Sequence, residues 1–302
     1  MFLSRELVKY GEYLKARGYA QETIKGYGHN LKRFRAYVQS IGLKGINEIN
    51  REVIFNYQLY LSSHQPMLTI NVRTRCIVAL KSFMRYLVKS HQVMVNFAAD
   101  VEIPKQKKLL PKGIMSFKEV KRLLKQPDTN TRLGKRDRAI LELLYACGLR
   151  NKELRSLKIN DVNFEENIVY VNDGKGGKDR IVPFGKVAYR YLEQYIQKSR
   201  PTFLLDSAEQ ILFMGYGKRP ISAEAVSDLV KKYVKQSGIR KKVTPHSIRH
   251  TFATHMLKRR ASLRHIQILL GHKSLQTTQK YTHVEISDLK RAYQKYHPRA
   301  RE

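Results

Sequence analysis

Acidic residues are scarce in this chain of 302 residues: 25 Asp+Glu stand against 58 Lys+Arg, a formal net charge of +33. Like charges repel within a compact fold, so the imbalance points outward to a polyanionic partner, nucleic acid first and an anionic membrane surface second. The few carboxylates form no cluster suited to a pair of Mg²⁺ ions, which argues against a two-metal nuclease. Long apolar runs are also missing, and none approaches the roughly 18 residues of a membrane-spanning helix. The opening MFLSRELVKYGEYL is amphipathic and lacks the apolar stretch and small-residue cleavage site of a secretion signal. The expectation is a cytoplasmic protein with no membrane partner. Cysteine is limited to Cys76 and Cys147. Each lies in an apolar helical pattern, so both read as reduced core thiols rather than a disulfide or zinc ligands. A phosphate-cradling GxxxxGK[ST] loop, an RRM signature and a KH-type GXXG pattern are all absent.

What is present is mostly helical periodicity. Ile24, Tyr27, Leu31, Phe34, Val38 and Ile41 recur every three or four positions and predict one helix. Asn50 caps a second, carrying Val53, Tyr57 and Tyr60, and Ile77, Leu80, Met84, Leu87 and Val88 mark a third. The pattern breaks at 104–113, PKQKKLLPKG, a basic stretch bounded by proline and glycine that reads as a linker lying along a phosphate backbone. Ser116 and Glu119 then form a capping box. Residues 137–147 predict an apolar helix stopped by Gly148, with a short helix over 151–157. Period-two alternation through Ile168, Tyr170 and Asn172, a glycine-rich turn, and Arg180, Val182 and Phe184 predict a β-hairpin. Helices are expected again at about 187–199, 223–237, 245–260 (Thr244 capping, Pro245 in the first turn), 263–270, 274–281 and 285–296. The fold class is therefore mainly α with a small antiparallel β-sheet in the second of two domains.

The chemistry-bearing residues gather in that second domain. Arg150 follows the apolar helix in CGLRNKEL, and Lys175 sits in the turn GKGGKDR. His246 and Arg249 share a helix face in PHSIRHTFATH. His272 and Tyr281 lie in LLGHKSLQTTQKYTH. Phosphoryl transfer needs planar cationic donors for the equatorial oxygens, an in-line nucleophile and a proton for the leaving oxygen. Two arginines, two histidines, a lysine and a tyrosine supply that set without a metal. Neighbouring cations favour the ionised form of a tyrosine whose free pKa is about 10. Taken singly, each is an ordinary surface group; 18 tyrosines are present, so composition does not select Tyr281. His255, His265 and His283 are assigned no catalytic role, and His250 adjoins the motif as a structural support.

The succession GLRxxEL, GKGxK in a turn, HxxRHTFATH and LLGHxxxxTTxxYTH resembles the tyrosine recombinases, within them the Xer-type recombinases and simple phage-type integrases. The closing YHPRA is similar to Xer-type termini. The departures are small: Ile248 where the family often has leucine, and Asn151-Lys152 in place of a commoner small or β-branched pair. The resemblance implies a helical core-binding, SAM-like DNA-binding domain over 1–103, a basic linker over 104–113, and a catalytic domain over 114–284. A C-terminal helix and tail follow over 285–302, a candidate for docking on a neighbouring subunit. It implies that Arg150 and Arg249 hold the phosphate, that Lys175 is general acid, and that His246 assists proton transfer. His272 stabilises the transition state, Glu153 orients or buffers the cations, and Tyr281 attacks. A 3′-phosphotyrosyl intermediate and a Holliday junction follow, without ATP, metal or other cofactor. The implied partners are double-stranded DNA with specific recombination sites, a homo-tetramer on two duplexes (a monomer in free solution is left open), and accessory proteins. The absence of an arm-binding region before the core-binding one favours a simple recombinase.

Basic groups flank the linker on both sides; residues 1–100 alone carry 15 Lys+Arg and 6 Asp+Glu. Candidate phosphate contacts are Lys105, Lys107 and Lys108; Lys231 and Lys232; Arg240, Lys241 and Lys242; and Arg259 within Lys258-Arg259-Arg260. Two other readings stand beside recombination: DNA relaxation of the type IB topoisomerase kind, and DNA binding without catalysis.

Overall fold

A computed structural model describes residues 2–63, 66–104, 113–172, 179–206, 208–271 and 283–300. The chain divides into two units, Met1–Lys108 and Leu109–Glu302.

The first unit is built from α1 (Phe2–Ala16), α2 (Gln21–Ser40), α3 (Arg51–Ser63) and α4 (Ile70–Lys89). The expected stripe on α2 is realised: Leu31, Phe34 and Val38 are buried, while Ile41 falls just past the helix end and stays exposed. The Asn50 side chain accepts from the Val53 N–H at 3.0 Å and so caps α3. Burying this face removes Tyr57, Phe83, Leu80 and Leu87 from water. Aromatic rings fill much of the core, Phe34 meeting Tyr57 edge-on at 4.9 Å and Tyr10 meeting Phe83 at 5.3 Å. Cys76 is a buried free thiol here, as is Cys147 in the second unit.

The second unit contains α5 (Phe117–Leu124), α6 (Arg132–Cys147), α7 (Asn151–Ser156), β1 (Val162–Asn163), β2 (Ile168–Val171), β3 (Arg180–Pro183), α8 (Lys186–Gln194), α9 (Ala223–Gln236), α10 (Pro245–Lys258), α11 (Leu263–Leu270) and α12 (His283–Tyr296). The Ser116–Glu119 capping box is present in both directions, at 3.2 and 2.6 Å. Helix α6 is central and almost wholly buried. It begins at Arg132 rather than at 137, because Thr131 caps it through the Gly134 N–H at 3.0 Å. The hairpin β2–β3 is antiparallel and gains a third, unanticipated strand, β1, giving the order β1-β2-β3. The strand face differs from the expectation here: Ile168 and Tyr170 share a face, but the core-facing one carries Val169 and Val171, which pair with Val182 and Arg180. Tyr170 is exposed while Val169 and Val171 are fully buried, because that valine pair joins the apolar core of the second unit. On β3 the expected row holds, with Arg180, Val182 and Phe184 all buried.

Helix α12 packs on its own unit through Leu289, Ala292 and Tyr293, and the tail continues inward with His297 stacked on Tyr293 at 4.5 Å. Arg299 pairs with buried Glu142 of α6. No helix among the described residues is long and apolar enough to cross a membrane.

Candidate active site

Three helix ends and one strand meet at a single carboxylate. Helix α6 stops at Gly148, whose left-handed backbone (φ 59°) turns the chain toward Arg150. A Cβ there would lie 2.7 Å from a Phe252 ring carbon and 3.0 Å from a Leu270 methyl, so glycine is what lets α10 and α11 close over the end of α6. Arg150 sits immediately before α7 in extended conformation, and Glu153, one turn on, folds back on it. Glu153 Oε2 accepts from the Arg150 N–H at 2.7 Å, and Oε1 accepts from Arg150 Nη1 at 2.5 Å. Arg249 enters from α10, whose first turn is set by Thr244 accepting from the Ser247 N–H at 3.2 Å. Its Nη1 donates to the Gly148 carbonyl at 2.8 Å and reaches Glu153 Oε2 at 3.5 Å. Its Nη2 donates to the Leu270 carbonyl.

A third guanidinium completes the cluster. Arg180 of β3 donates from Nη1 and Nη2 to Glu153 Oε1 and Oε2, at 2.9 and 2.8 Å, and from Nε to the Leu269 carbonyl at 2.7 Å. The carbonyls of Leu269, Leu270 and Gly271 thus accept in turn from Arg180, Arg249 and Arg150, the last at 3.4 Å. These are carbonyls at the end of α11, where a helix leaves acceptors without intrahelical partners and its dipole favours cations. Burial alone would raise the Glu153 carboxyl. The Arg180 fork, with the Arg150 N–H and the Arg249 charge, outweighs it and holds Glu153 down to about 2. Among the described residues, three cations face this one carboxylate. Arg150 is the accessible member, with 40% of its side chain exposed, against 6% for Arg249 and 1% for Arg180.

His246 is exposed in the first turn of α10, and its Nε2 lies 2.9 Å from Nε2 of His250, one turn along. One ring must donate and the other accept, so His250 sets the orientation of His246. His255, by contrast, is buried between Tyr145 and the Met115 carbonyl, at 2.8 and 2.9 Å; burial pushes it down to about 4, so it is neutral at physiological pH.

The structure brings Arg150, Glu153 and Arg249 together and puts His246 three residues before Arg249 on the same helix. Lys175, His272 and Tyr281, and the expected helix at 274–281, lie outside the described residues, as do Lys105, Lys107 and Lys108. Sequence reasoning placed Arg180 in the hairpin without a role. An arginine in the inward row of an otherwise apolar strand was the available signal. Of the candidate phosphate contacts, Lys231, Lys232, Arg240 and Lys242 are exposed. Lys231 pairs with Asp228 at 2.9 Å. Lys241 is engaged by Glu119 at 2.7 Å and by the Ile114 carbonyl, and Arg259 lies over the Phe117 ring.

Comparison with known proteins bears on this arrangement. The family model described as "Phage integrase family" matches residues 114–287, and that of the "Phage integrase, N-terminal SAM-like domain" matches residues 7–91. Over 302 aligned residues the chain is 35% identical to tyrosine recombinase XerC 2 of Ralstonia nicotianae, covering 99% of this chain and 87% of that protein. It is 37% identical to tyrosine recombinase XerD of Listeria monocytogenes serotype 4b, covering 94% and 95%. Among solved structures, XerA recombinase shares 31% identity at a TM-score of 0.50, covering 98% of this chain and 99% of that one. The XerH site-specific recombinase, solved bound to its difH substrate in a pre-cleavage complex, superposes with a TM-score of 0.70 at 21% identity, covering 97% and 82%.

Proposed function

The chain belongs to the phage integrase family and, within it, to the Xer-type tyrosine recombinases, and from this premise we propose that it cuts and rejoins duplex DNA at defined sites with Tyr281 as nucleophile. The observation that carries the assignment of roles is the convergence of Arg150 and Arg249 on Glu153, from motifs about a hundred residues apart. Their guanidiniums would clamp the non-bridging oxygens of one scissile phosphate, with Arg150, the exposed member, reaching it first. Charge that accumulates on those oxygens in the transition state is met by donors already held in place, which lowers the barrier without reorganisation.

In the first step the Tyr281 hydroxyl oxygen bonds to phosphorus and the bond from phosphorus to the 5′-oxygen breaks. A 3′-phosphotyrosyl ester and a free 5′-hydroxyl result. His246, oriented by His250, takes part in removing the tyrosine proton; Lys175 delivers one to the departing 5′-oxygen, and His272 hydrogen-bonds the phosphate. In the second step the 5′-hydroxyl of a partner strand attacks the same phosphorus and releases the tyrosine. Each step exchanges one phosphoester for another, so rejoining requires no outside energy source. Two rounds, with a Holliday junction between them, recombine two duplexes, for which four copies of the chain are required. Solved relatives include a lambda integrase tetramer bound to a Holliday junction, whose fold this chain shares. The helix α12 and the tail after it would be the element exchanged between neighbouring copies in such an assembly.

The test is a nicked suicide duplex from which the cleaved fragment diffuses away, run with EDTA on denaturing gels. Wild-type protein is expected to give a covalent protein–DNA band, and Tyr281→Phe none. A band from the phenylalanine variant refutes the nucleophile. Relaxation of supercoils without site dependence would favour the topoisomerase reading.

A further inference from the structure

Arg180 is the most deeply buried of the three arginines that meet at Glu153. It is among the largest fully buried side chains of the molecule. All three of its guanidinium nitrogens donate at 2.7–2.9 Å, two to Glu153 and one to the last turn of α11. Gly271 is packed against it: a Cβ on that residue would lie 3.2 Å from Arg180 Cδ and Nη1. With 1% of its side chain exposed, Arg180 is not itself placed to touch a substrate. Instead it connects three parts of the site. Its strand begins five residues after Lys175 in sequence. Its fork fixes both oxygens of the carboxylate on which Arg150 and Arg249 rest. Its Nε holds the end of the helix from which the segment bearing His272 and Tyr281 departs.

We propose that Arg180 is a positioning residue for DNA cleavage, holding Glu153 and the end of α11 so that Arg150 and Arg249 present their guanidiniums to the same phosphate. This rests on the recombinase reading above. Without the fork, Glu153 is free to rotate toward Arg150 and draw it out of line, while the carbonyls of Leu269 and Leu270 lose their common brace. The consequence is specific. Misaligned guanidiniums penalise a substrate in proportion to the negative charge its transition state must carry. Replacing one non-bridging oxygen of the scissile phosphate by methyl removes one of those charges, and with it part of the need for the clamp.

Three full-length variants test this: Arg180→Lys, Arg180→Met, and the pair Arg180→Met/Glu153→Gln, which removes both buried charges together. Covalent-complex formation is measured on a phosphodiester and on a methylphosphonate suicide substrate, beside thermal unfolding and DNA affinity. For variants that fold and bind DNA within about threefold of wild type, the phosphodiester rate is expected to fall about 100-fold or more. The methylphosphonate rate, relative to wild type on that substrate, is expected to fall less than tenfold. Arg180→Lys should recover part of the phosphodiester rate. Parallel losses on both substrates, wild-type cleavage by a folded Arg180→Met, or failure of all three variants to fold would each overturn the proposal in favour of a purely structural arginine. If wild-type protein itself forms no covalent complex, it is the recombinase reading that fails, a result distinct from all of these.

Discussion

Glu153 is the carboxylate at which three arginines of the second unit meet. It is 4% exposed, so removing its charge strands two of the guanidiniums, those of Arg180 and Arg249, that are already largely desolvated. Glu153→Gln is expected to cost about 3 kcal/mol in urea unfolding at neutral pH. Because the folded carboxyl is held at about 2, below its ordinary 4.5, its contribution is fully present above pH 4.5. It is lost as pH falls toward 2, so the gap between wild type and variant should close over that window. A gap that stays constant from pH 6 to pH 3 would show that the charge is not what stabilises the cluster. The buried histidines act over a different range. His255 is pushed down to about 4 and His297 to about 3, both by burial. Protonation in the unfolded chain begins near pH 6.5, where the folded protein still excludes it. Stability is therefore expected to be level above pH 6.5 and to fall below it, by up to about 1.4 kcal/mol per pH unit for each histidine. Urea midpoints that do not move between pH 7 and pH 5 would contradict this.

At the scale of elements, the site depends on how helices end. The glycine closing α6 is required twice, by its positive φ and by the approach of Phe252 and Leu270. Gly148→Ala is expected to cost about 2–4 kcal/mol, combining left-handed strain with overpacking, and to shift Arg150 enough to lower covalent-complex yield at least tenfold. Gly217 offers the control: it too has positive φ, at 67°, but nothing lies within 4 Å of a Cβ there. Gly217→Ala should cost only about 1 kcal/mol and leave cleavage unchanged. Equal effects at the two positions would mean that backbone conformation alone, and not the closure of α10 and α11, sets the requirement. The end of α11 works on the same principle, its unsatisfied carbonyls supplying acceptors to three arginines at once.

For the whole molecule, the charge of +33 governs how a polyanion is met. Affinity for DNA is expected to fall linearly on a log–log plot against salt, with a slope of about −0.9 for each phosphate neutralised. The folded structure separates the basic residues that are available for this from those already engaged. Arg240, Lys241 and Lys242 are all exposed, but Lys241 is tied to Glu119 and the Ile114 carbonyl. Arg240→Ala and Lys242→Ala are each expected to flatten the salt slope by about one. Lys241→Ala should change it by well under one and instead loosen the start of α5. A uniform effect of all three in a salt titration would show the ion pair to be irrelevant to DNA contact.

Sequence alone determined what local physics controls. Helix faces follow from a 3.6-residue period, and the caps at Asn50, Ser116 and Thr244 follow from side chains that reach only a few positions. The left-handed stop at Gly148 follows from the one residue free to adopt it. The ordered motifs were sufficient to indicate the family, because the phosphoryl-transfer groups are distinctive in combination. What only the tertiary structure decided were contacts between distant segments. Nothing near Arg180 in sequence shows that it will grip a carboxylate 27 residues away and a carbonyl 89 residues away. Alternation on β2 suggested Tyr170 for the inner face, but packing of the second unit's apolar core selected Val169 and Val171. Arg150 and Arg180 are the same residue type bonded to the same carboxylate, yet one is 40% exposed and the other 1%. That difference sets which of them can reach a phosphate and which can only hold its neighbours. It arises from the order in which strand, helix ends and loop are stacked, since burial is a property of packing and not of the local chain.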